Sequence, residues 1–448
     1  MKIGWATPRV QRSAIGRVSI VITDLLQKIG HDVTLIGLEW ERPEGEPLHA
    51  SNATTVFWRD LTPDQMRADF DMIVVNVGDN FLFHGGIFHL LDHAPCVGIF
   101  HDFYLYNLFR GWLAAHGLSP EVAQRTIVDT YGAHAKETAR LAVSETLTLA
   151  ASARSVPMTE WIGRRCIGAL AHAEFYANRL LASCAGPVSV ADLPFQGRGV
   201  GELPKRDRSQ IVALTVGVMN PNKCVDRVIE ALGSDGLQGR IEYRLAGPIE
   251  DGERQRLEEI AADVGIKDLT ILGSVSDQAL RHELENADLI CCLRNPVLEG
   301  ASGSAIEGLL SGRPLIVSDA GFYAGLPDAL VCKVPADIPI ASLAEKLRGL
   351  ADDEDLRRTM GAKAREWATA TFRSDRYVER LTELMNASVS ASAALDVGRT
   401  IGAELRSLGV PPTDAAVARI GETLDELFAL PAHDVQTRAA RSGAQRPA

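Results

Sequence analysis

The chain has 448 residues, 46% of them hydrophobic and 23% charged, enough for two or three domains with ample buried core. Its formal charge of −12 argues against nucleic acid as the main partner and weakens, without excluding, peripheral docking on an anionic membrane. No apolar run approaches the roughly 20 residues of a spanning helix, and the seven cysteines form no Cys-x-x-Cys pair, which suits reduced core thiols in a cytoplasmic protein.

In chain order, residues 2–6 read as a strand and 15–29 as an amphipathic helix with Ile15, Val18, Ile22, Leu25, Leu26 and Ile29 on one face. The helix stops before Gly30, and 32–37 is a second strand, a βαβ opening that suits a doubly wound sheet. Residues 71–77 and 96–100 are further buried strands. The first runs into Gly78, Asn80 and His84, the second into His101 and Asp102. Both clusters fall at carboxyl ends of strands, where an α/β sheet places its ligands. Asp102 either orients the His101 imidazole or caps a helix beginning near Phe103, and capping fits its position better. Residues 103–158 read as helical, with an Ala/Ser/Thr-rich mobile edge at 146–156. His172, ending the next apolar run, reads as structural. Glycines and prolines from 194 to 204, then a charged run to 208, mark a linker.

A second β/α alternation follows, with strands at 211–216, 242–246, 269–272, 289–293, 315–317 and 330–333. Its centre is the strand–loop–helix unit from 287 to 317. A buried strand leads into the small residues Gly300 to Gly303, a helix spans 304–310, and Gly312 and Pro314 end it. The loop and first-turn N–H groups attract an anion, and small side chains let a phosphate approach the backbone. Glu299 stands at the strand exit and Glu307 eight residues later, one turn inside the helix. Lys223 follows a strand and turn at the mouth of the same sheet.

In this setting the Glu-x7-Glu element resembles the signature of the retaining nucleotide-sugar glycosyltransferases of family 4. The resemblance covers about residues 1–386 and implies a GT-B fold, two doubly wound Rossmann-like domains facing across a cleft, to which the chain adds a C-terminal helical appendix. Its implied boundaries are 1–195 for an acceptor-side domain, 196–208 for the linker, 209–372 for a donor-nucleotide domain, and 373–386 for a helix crossing back. By the same resemblance Glu299 faces the donor sugar, Glu307 binds the ribose diol, and His101 lies on the sugar's far side. Lys223 and the N–H groups of Gly300, Ala301 and Ser302 neutralise the diphosphate, and residues 273–276, Val275 among them, meet the base through backbone. Asn80, His84 and Asp102 are acceptor-side candidates.

Two departures stand out. The family's Gly-Gly-x-Gly first loop is reduced to Gly16, and Val218 replaces an arginine that would grip the pyrophosphate. Arg294, beside the acidic loop, is a candidate substitute. No Asp-x-Asp triad or His/Cys cluster has usable metal spacing, so neither metal nor cofactor is expected beyond the nucleotide sugar as co-substrate. The implied activity is retaining sugar transfer to a carbohydrate or glycolipid acceptor, with surface-polysaccharide or glycolipid assembly as the expected setting. An epimerase or phosphorylase on the same architecture, or a non-catalytic nucleotide-binding subunit, are the alternatives. Residues 387–432 lie outside the resemblance. They read as Ala/Ser-rich chain, then helices at 395–408 and 414–427 with Thr413 as N-cap, a hairpin suited to oligomer or partner contact. Residues 433–448 are expected to be disordered.

Overall fold

Two parallel sheets organise the computed structural model, which describes residues 1–201, 210–411 and 414–428. The rest of the expected linker, the Thr413 cap and the tail at 433–448 lie outside the described residues. The first sheet holds β1 (Lys2–Thr7), β2 (Asp32–Gly37), β3 (Thr54–Phe57), β4 (Met72–Val77), β5 (Cys96–Phe100), β6 (Gly168–Ala171) and β7 (Val188–Val190), in the order β3-β2-β1-β4-β5-β6-β7. The second holds β8 (Ile211–Val216), β9 (Ile241–Ala246), β10 (Leu269–Gly273), β11 (Leu289–Cys292), β12 (Leu315–Ser318) and β13 (Cys332–Val334), in the order β10-β9-β8-β11-β12-β13. Every residue of β4, β5, β11 and β12 is buried, because helices cover both faces of each sheet. Strand order reverses between β1 and β4 and between β8 and β11, and ligands of such sheets bind outside the carboxyl ends at those points.

The helix Ala14–Lys28 returns from β1 to β2 and starts at Ser13, whose Oγ accepts the Gly16 N–H at 3.1 Å. A Cβ on Gly16 would stand 2.4 Å from the Pro8 carbonyl oxygen and 2.8 Å from the His49 ring. Packing therefore accounts for this glycine. The stretch 103–158 is divided among the helices Tyr106–Ala115, Pro120–Tyr131, Lys136–Val143 and Leu149–Ser155. Gly117 and Gly132, at φ 60° and 90°, separate the first three, a backbone that other residues adopt at a cost. Ala153, at the end of the fourth, and Val156 just beyond it are packed into the first domain's core.

The crossing helix and the first appended helix are one element, Ser374–Ser407, 34 residues long. The expected break after Asn386 does not occur. The Ala/Ser-rich stretch holds no proline or glycine until Gly398, and alanine is the best helix former. Tyr377, Leu381, Leu384 and Met385 share a core with Ile3, Trp5, Val97 and Ile99. Further along, Ser388, Ala391 and Ala394 are buried too. Ser388 sits so close over Gly168 that no Cβ would fit there. The helix Ala415–Phe428 folds back against it. Among the described residues no helix is long and apolar enough to cross a membrane.

The extension is thus part of the first domain. Ending the chain at Asn386 should remove on the order of 2 kcal/mol of burial, at about 2–4 °C of Tm per kcal/mol. Thermal unfolding of the shortened chain checks this, and an unchanged Tm would mean the extension does not support the fold.

Candidate functional site

The loop after β11 and the loop after β5 meet across the two domains. The Phe103 and Tyr104 N–H groups both donate to the Leu298 carbonyl, at 3.1 and 3.0 Å, and the Gly300 N–H donates to the His101 carbonyl at 2.8 Å. Asp102 and Glu299 form an antiparallel bridge. Gly300 fits because a Cβ there would lie 2.5 Å from the Tyr176 hydroxyl. Tyr176 is itself fixed: its hydroxyl donates to the Phe100 carbonyl and accepts the His172 N–H, both at 2.7 Å. Glu299 and His101 are therefore brought together by backbone.

The Glu299 carboxylate is engaged on all sides. Arg294 Nε donates to its Oε1 at 2.9 Å, the Tyr323 hydroxyl donates to the same oxygen at 2.6 Å, and the Leu298 N–H donates to Oε2 at 3.3 Å. Burial pushes this carboxyl up, but Arg294, Tyr323 and the backbone donors outweigh it and hold it below the usual carboxylate range. Arg294 also donates to the Leu293 carbonyl at 2.7 Å and is buried. The expectation that Arg294 is a spare cation for the diphosphate meets this pairing: the guanidinium is already committed to Glu299. Lys223 is also buried, its Nζ donating to the Val216 carbonyl at 2.6 Å. Burial, then the Arg294 charge, pulls its pKa down to about 7. Val218 stands 57% exposed on the same loop.

Glu307 lies in the helix Gly303–Leu310, whose N-terminus Ser302 caps by accepting the Ala305 N–H at 3.2 Å. Of the three loop amides expected to meet an anion, that of Gly300 already donates to the His101 carbonyl. Arg198, from the linker, reaches Glu307, Nε to Oε1 at 2.5 Å, and Asp277 at 3.0 Å. The Arg198–Glu307 contact is an ion pair without an aligned hydrogen bond. Burial raises the Glu307 pKa and Arg198 opposes the rise. Arg17, one residue past Gly16, spans the cleft to Asp277 at 3.3 Å. Val275, half-buried, packs on the second domain's core beside Ser276, which caps the helix Asp277–Asn286.

On the first-domain side, both ring nitrogens of His101 have protein partners, Nε2 with Asn76 Oδ1 at 2.9 Å and Nδ1 with His172 Nε2 at 3.2 Å. Burial and the neighbouring imidazoles of His172 and His84 push its pKa well down. Asn80 caps the short helix Phe81–His84 by accepting the Leu82 N–H, and His84 Nδ1 meets the Asn76 carbonyl at 2.8 Å. Asp102 does not cap a helix at Phe103. Its Oδ2 accepts the Asp79 N–H at 2.9 Å, and the next helix starts at Tyr106, where Asp79 Oδ1 takes the Asn107 and Leu108 N–H groups. Burial, reinforced by Glu299, raises the Asp102 pKa to about 6.

The sequence reading passed over Asn76, Asp79, Tyr176, Arg17, Arg198, Asp277 and Tyr323. Asn76 alone left a signal, as the one polar residue in an otherwise apolar strand. The others act through contacts far apart in sequence. Removing Arg294 would strand a buried carboxylate, so Arg294→Met should cost about 3–5 kcal/mol of stability. Tyr323→Phe should cost about 1–3 kcal/mol. Urea unfolding measures both, and a loss under about 1 kcal/mol for Arg294→Met would mean that the pair does not hold the loop.

Residues 203–367 match the family described as glycosyl transferases group 1. No curated protein matches the chain. Several solved structures share its fold. Sucrose-phosphate synthase from Thermosynechococcus elongatus superposes with a TM-score of 0.58 at 16% identity, covering 86% of this chain and 98% of that one. HepE of Anabaena, solved with UDP and glucose, gives 0.57 at 13%, covering 86% and 99%. A glycosyltransferase from Rickettsia africae gives 0.59 at 14%, covering 87% and 98%. The fold is therefore GT-B, two parallel-sheet α/β domains with a C-terminal helical segment.

Proposed function

We propose that the chain is a retaining glycosyltransferase that moves a sugar from a nucleoside-diphosphate sugar to a carbohydrate or glycolipid acceptor in the cytoplasm. The observation that carries this reading is the placement of Glu299 and Glu307, on one strand–loop–helix unit at the switch point of the second sheet, opposite the His101 loop. The family match over residues 203–367 and the UDP held by a structural neighbour support it. Surface-polysaccharide or glycolipid assembly is the setting we favour.

In this reading the protein's main task is to stabilise the departing diphosphate. Lys223 and the amides of Ala301 and Ser302 do so, without a metal ion. The ribose diol sits on Glu307, which requires Arg198 to give way. The sugar sits between Glu299 and the His101 loop. Backbone atoms now at hydrogen-bonding distance leave no room for it there, so donor binding parts the Asp102–Glu299 bridge. Glu299, held ionised by Arg294, then faces the ring as positive charge develops on it.

Glu299→Gln should lower kcat by on the order of 10²-fold while nucleoside diphosphate still binds. Glu307→Gln should instead raise the donor KM and weaken free nucleotide, with kcat falling less. Steady-state kinetics and calorimetry separate the two, and equal loss of nucleotide binding with unchanged kcat in both would remove the basis of the reading.

Lys223 adds a pH dependence. A bound diphosphate raises its pKa above the free value of about 7, so affinity is full below pH 7. It weakens as the pH rises towards the bound-state value, by up to about tenfold per pH unit. Lys223→Ala should bind more weakly and lose that slope, measured by calorimetry at several pH values. A pH-independent affinity in the unaltered protein would place the ammonium away from the phosphates.

A further inference from the structure

A buried chain of polar contacts runs behind the His101 loop. Asn76 Nδ2 donates to the Ala6 carbonyl at 2.9 Å, and Asn76 Oδ1 faces His101 Nε2 at 2.9 Å. His101 Nδ1 then faces His172 Nε2 at 3.2 Å, and His172 Nδ1 faces the Ala191 carbonyl at 3.2 Å. The chain ends in a carbonyl at each side, and a carbonyl only accepts. Its four contacts each need one N–H.

Neutral side chains supply only three. The Asn76 amide can donate along the chain in one direction, and each neutral imidazole carries one N–H. Asn76 Oδ1 demands the proton on His101 Nε2, and the Ala191 carbonyl demands the one on His172 Nδ1. Two bare lone pairs are then left facing each other between the rings. Flipping the Asn76 amide only moves the conflict to the Ala6 carbonyl. No choice of tautomers closes the chain.

We infer that His101 and His172 share one additional proton, held between His101 Nδ1 and His172 Nε2, and that His172 is by this means a positioning residue for the cleft-facing His101 loop. A second proton has no place, because each ring's other nitrogen already carries its hydrogen towards an acceptor. With one, the rings form an imidazolium–imidazole pair and all four contacts close. Without it, a ring must turn and forfeit Asn76 or Ala191, which loosens the segment whose carbonyl takes the Gly300 N–H.

The surroundings set the strength of this proton. Burial opposes it and, although the hydrogen bond to the Ala191 carbonyl favours the charged ring, pulls His172 down to about 4. The His84 imidazole opposes it from the short helix Phe81–His84. The Tyr176 hydroxyl reaches the His172 backbone, and the Tyr377 ring lies 5.8 Å from the His172 ring on the C-terminal helix. Asp102 follows His101 directly, and Glu299 bridges to Asp102. The missing hydrogen bond favours the first proton only.

The effect on transfer rests on the sugar-side reading of His101, whereas the proton count does not. Nitrogen-15 NMR of histidine-labelled full-length protein, titrated between pH 8 and 5, counts the protons on the two rings. One proton taken up by the pair, and never two, is the expected result. Both rings neutral wherever circular dichroism shows the fold intact, or two separate protonations, would overturn the inference.

In His172→Gln a neutral amide N–H stands near the former Nε2, so His101 should stay neutral over the same range. At saturating donor, where the bound diphosphate keeps Lys223 charged, transfer by the unaltered protein should fall about tenfold per pH unit as the pair loses its proton, and the variant should lack that limb. Superimposable pH profiles would reduce His172 to a packing residue and overturn its positioning role. If the variant does not fold, the titration of the unaltered protein decides alone. If no donor is turned over, the proton count still stands or falls by itself.

Discussion

A carboxylate taken out of water must be paired, and the cleft of this protein is built around one that is. Glu299 is held by Arg294 and Tyr323, and breaking such a buried pair costs far more than forming it gains. The requirement fixes more than one side chain. It locks the turn from Leu298 to Gly300, so the Leu298 carbonyl and Gly300 N–H face the other domain in a set direction. It also places the Arg294 charge near Lys223, which adds to burial in pulling the pKa of that ammonium down to about 7.

Closure of the two domains follows from that rigid turn. Three backbone hydrogen bonds join it to residues 101–104. Two exposed or half-exposed ion pairs, Arg17 to Asp277 and Arg198 to Asp277, add a second tie nearer the linker. Backbone hydrogen bonds of this kind are worth about 1 kcal/mol each and surface ion pairs less. The closed arrangement is therefore one that a ligand with modest differential affinity is able to open. Arg198 gives the linker a direct hold on Glu307, so occupancy of that carboxylate and the position of the linker are coupled.

The legible parts of the sequence were those governed by local rules. Strand runs such as residues 71–77 and 289–293 announced themselves by short, mostly apolar stretches, and their carboxyl ends marked where polar clusters would gather. The placement of Glu299, Glu307, Lys223 and His101 on the carboxyl side of the sheets was legible because each follows a parallel strand or lies in the helix that does. The helix from 374 to 407 was misjudged at Asn386 because composition alone was taken for a break, although no helix-breaking residue stands there. Asp102 was misassigned as a cap because the competing acceptor, Asp79, lies 23 residues earlier in the chain.

By itself, then, the sequence determined two α/β domains, their order, and the pair of glutamates at the mouth of the second sheet, because periodicity and chain punctuation act over a few residues. Only the tertiary structure decided what those groups touch. Arg294 is a partner of Glu299 and not a spare cation. Gly16 answers to the Pro8 carbonyl and His49, and His101 is tied into a buried chain with Asn76 and His172. The physical reason is that charge pairing, proton sharing and close backbone approach depend on distances of a few ångströms between residues up to 260 positions apart, and no local pattern encodes them.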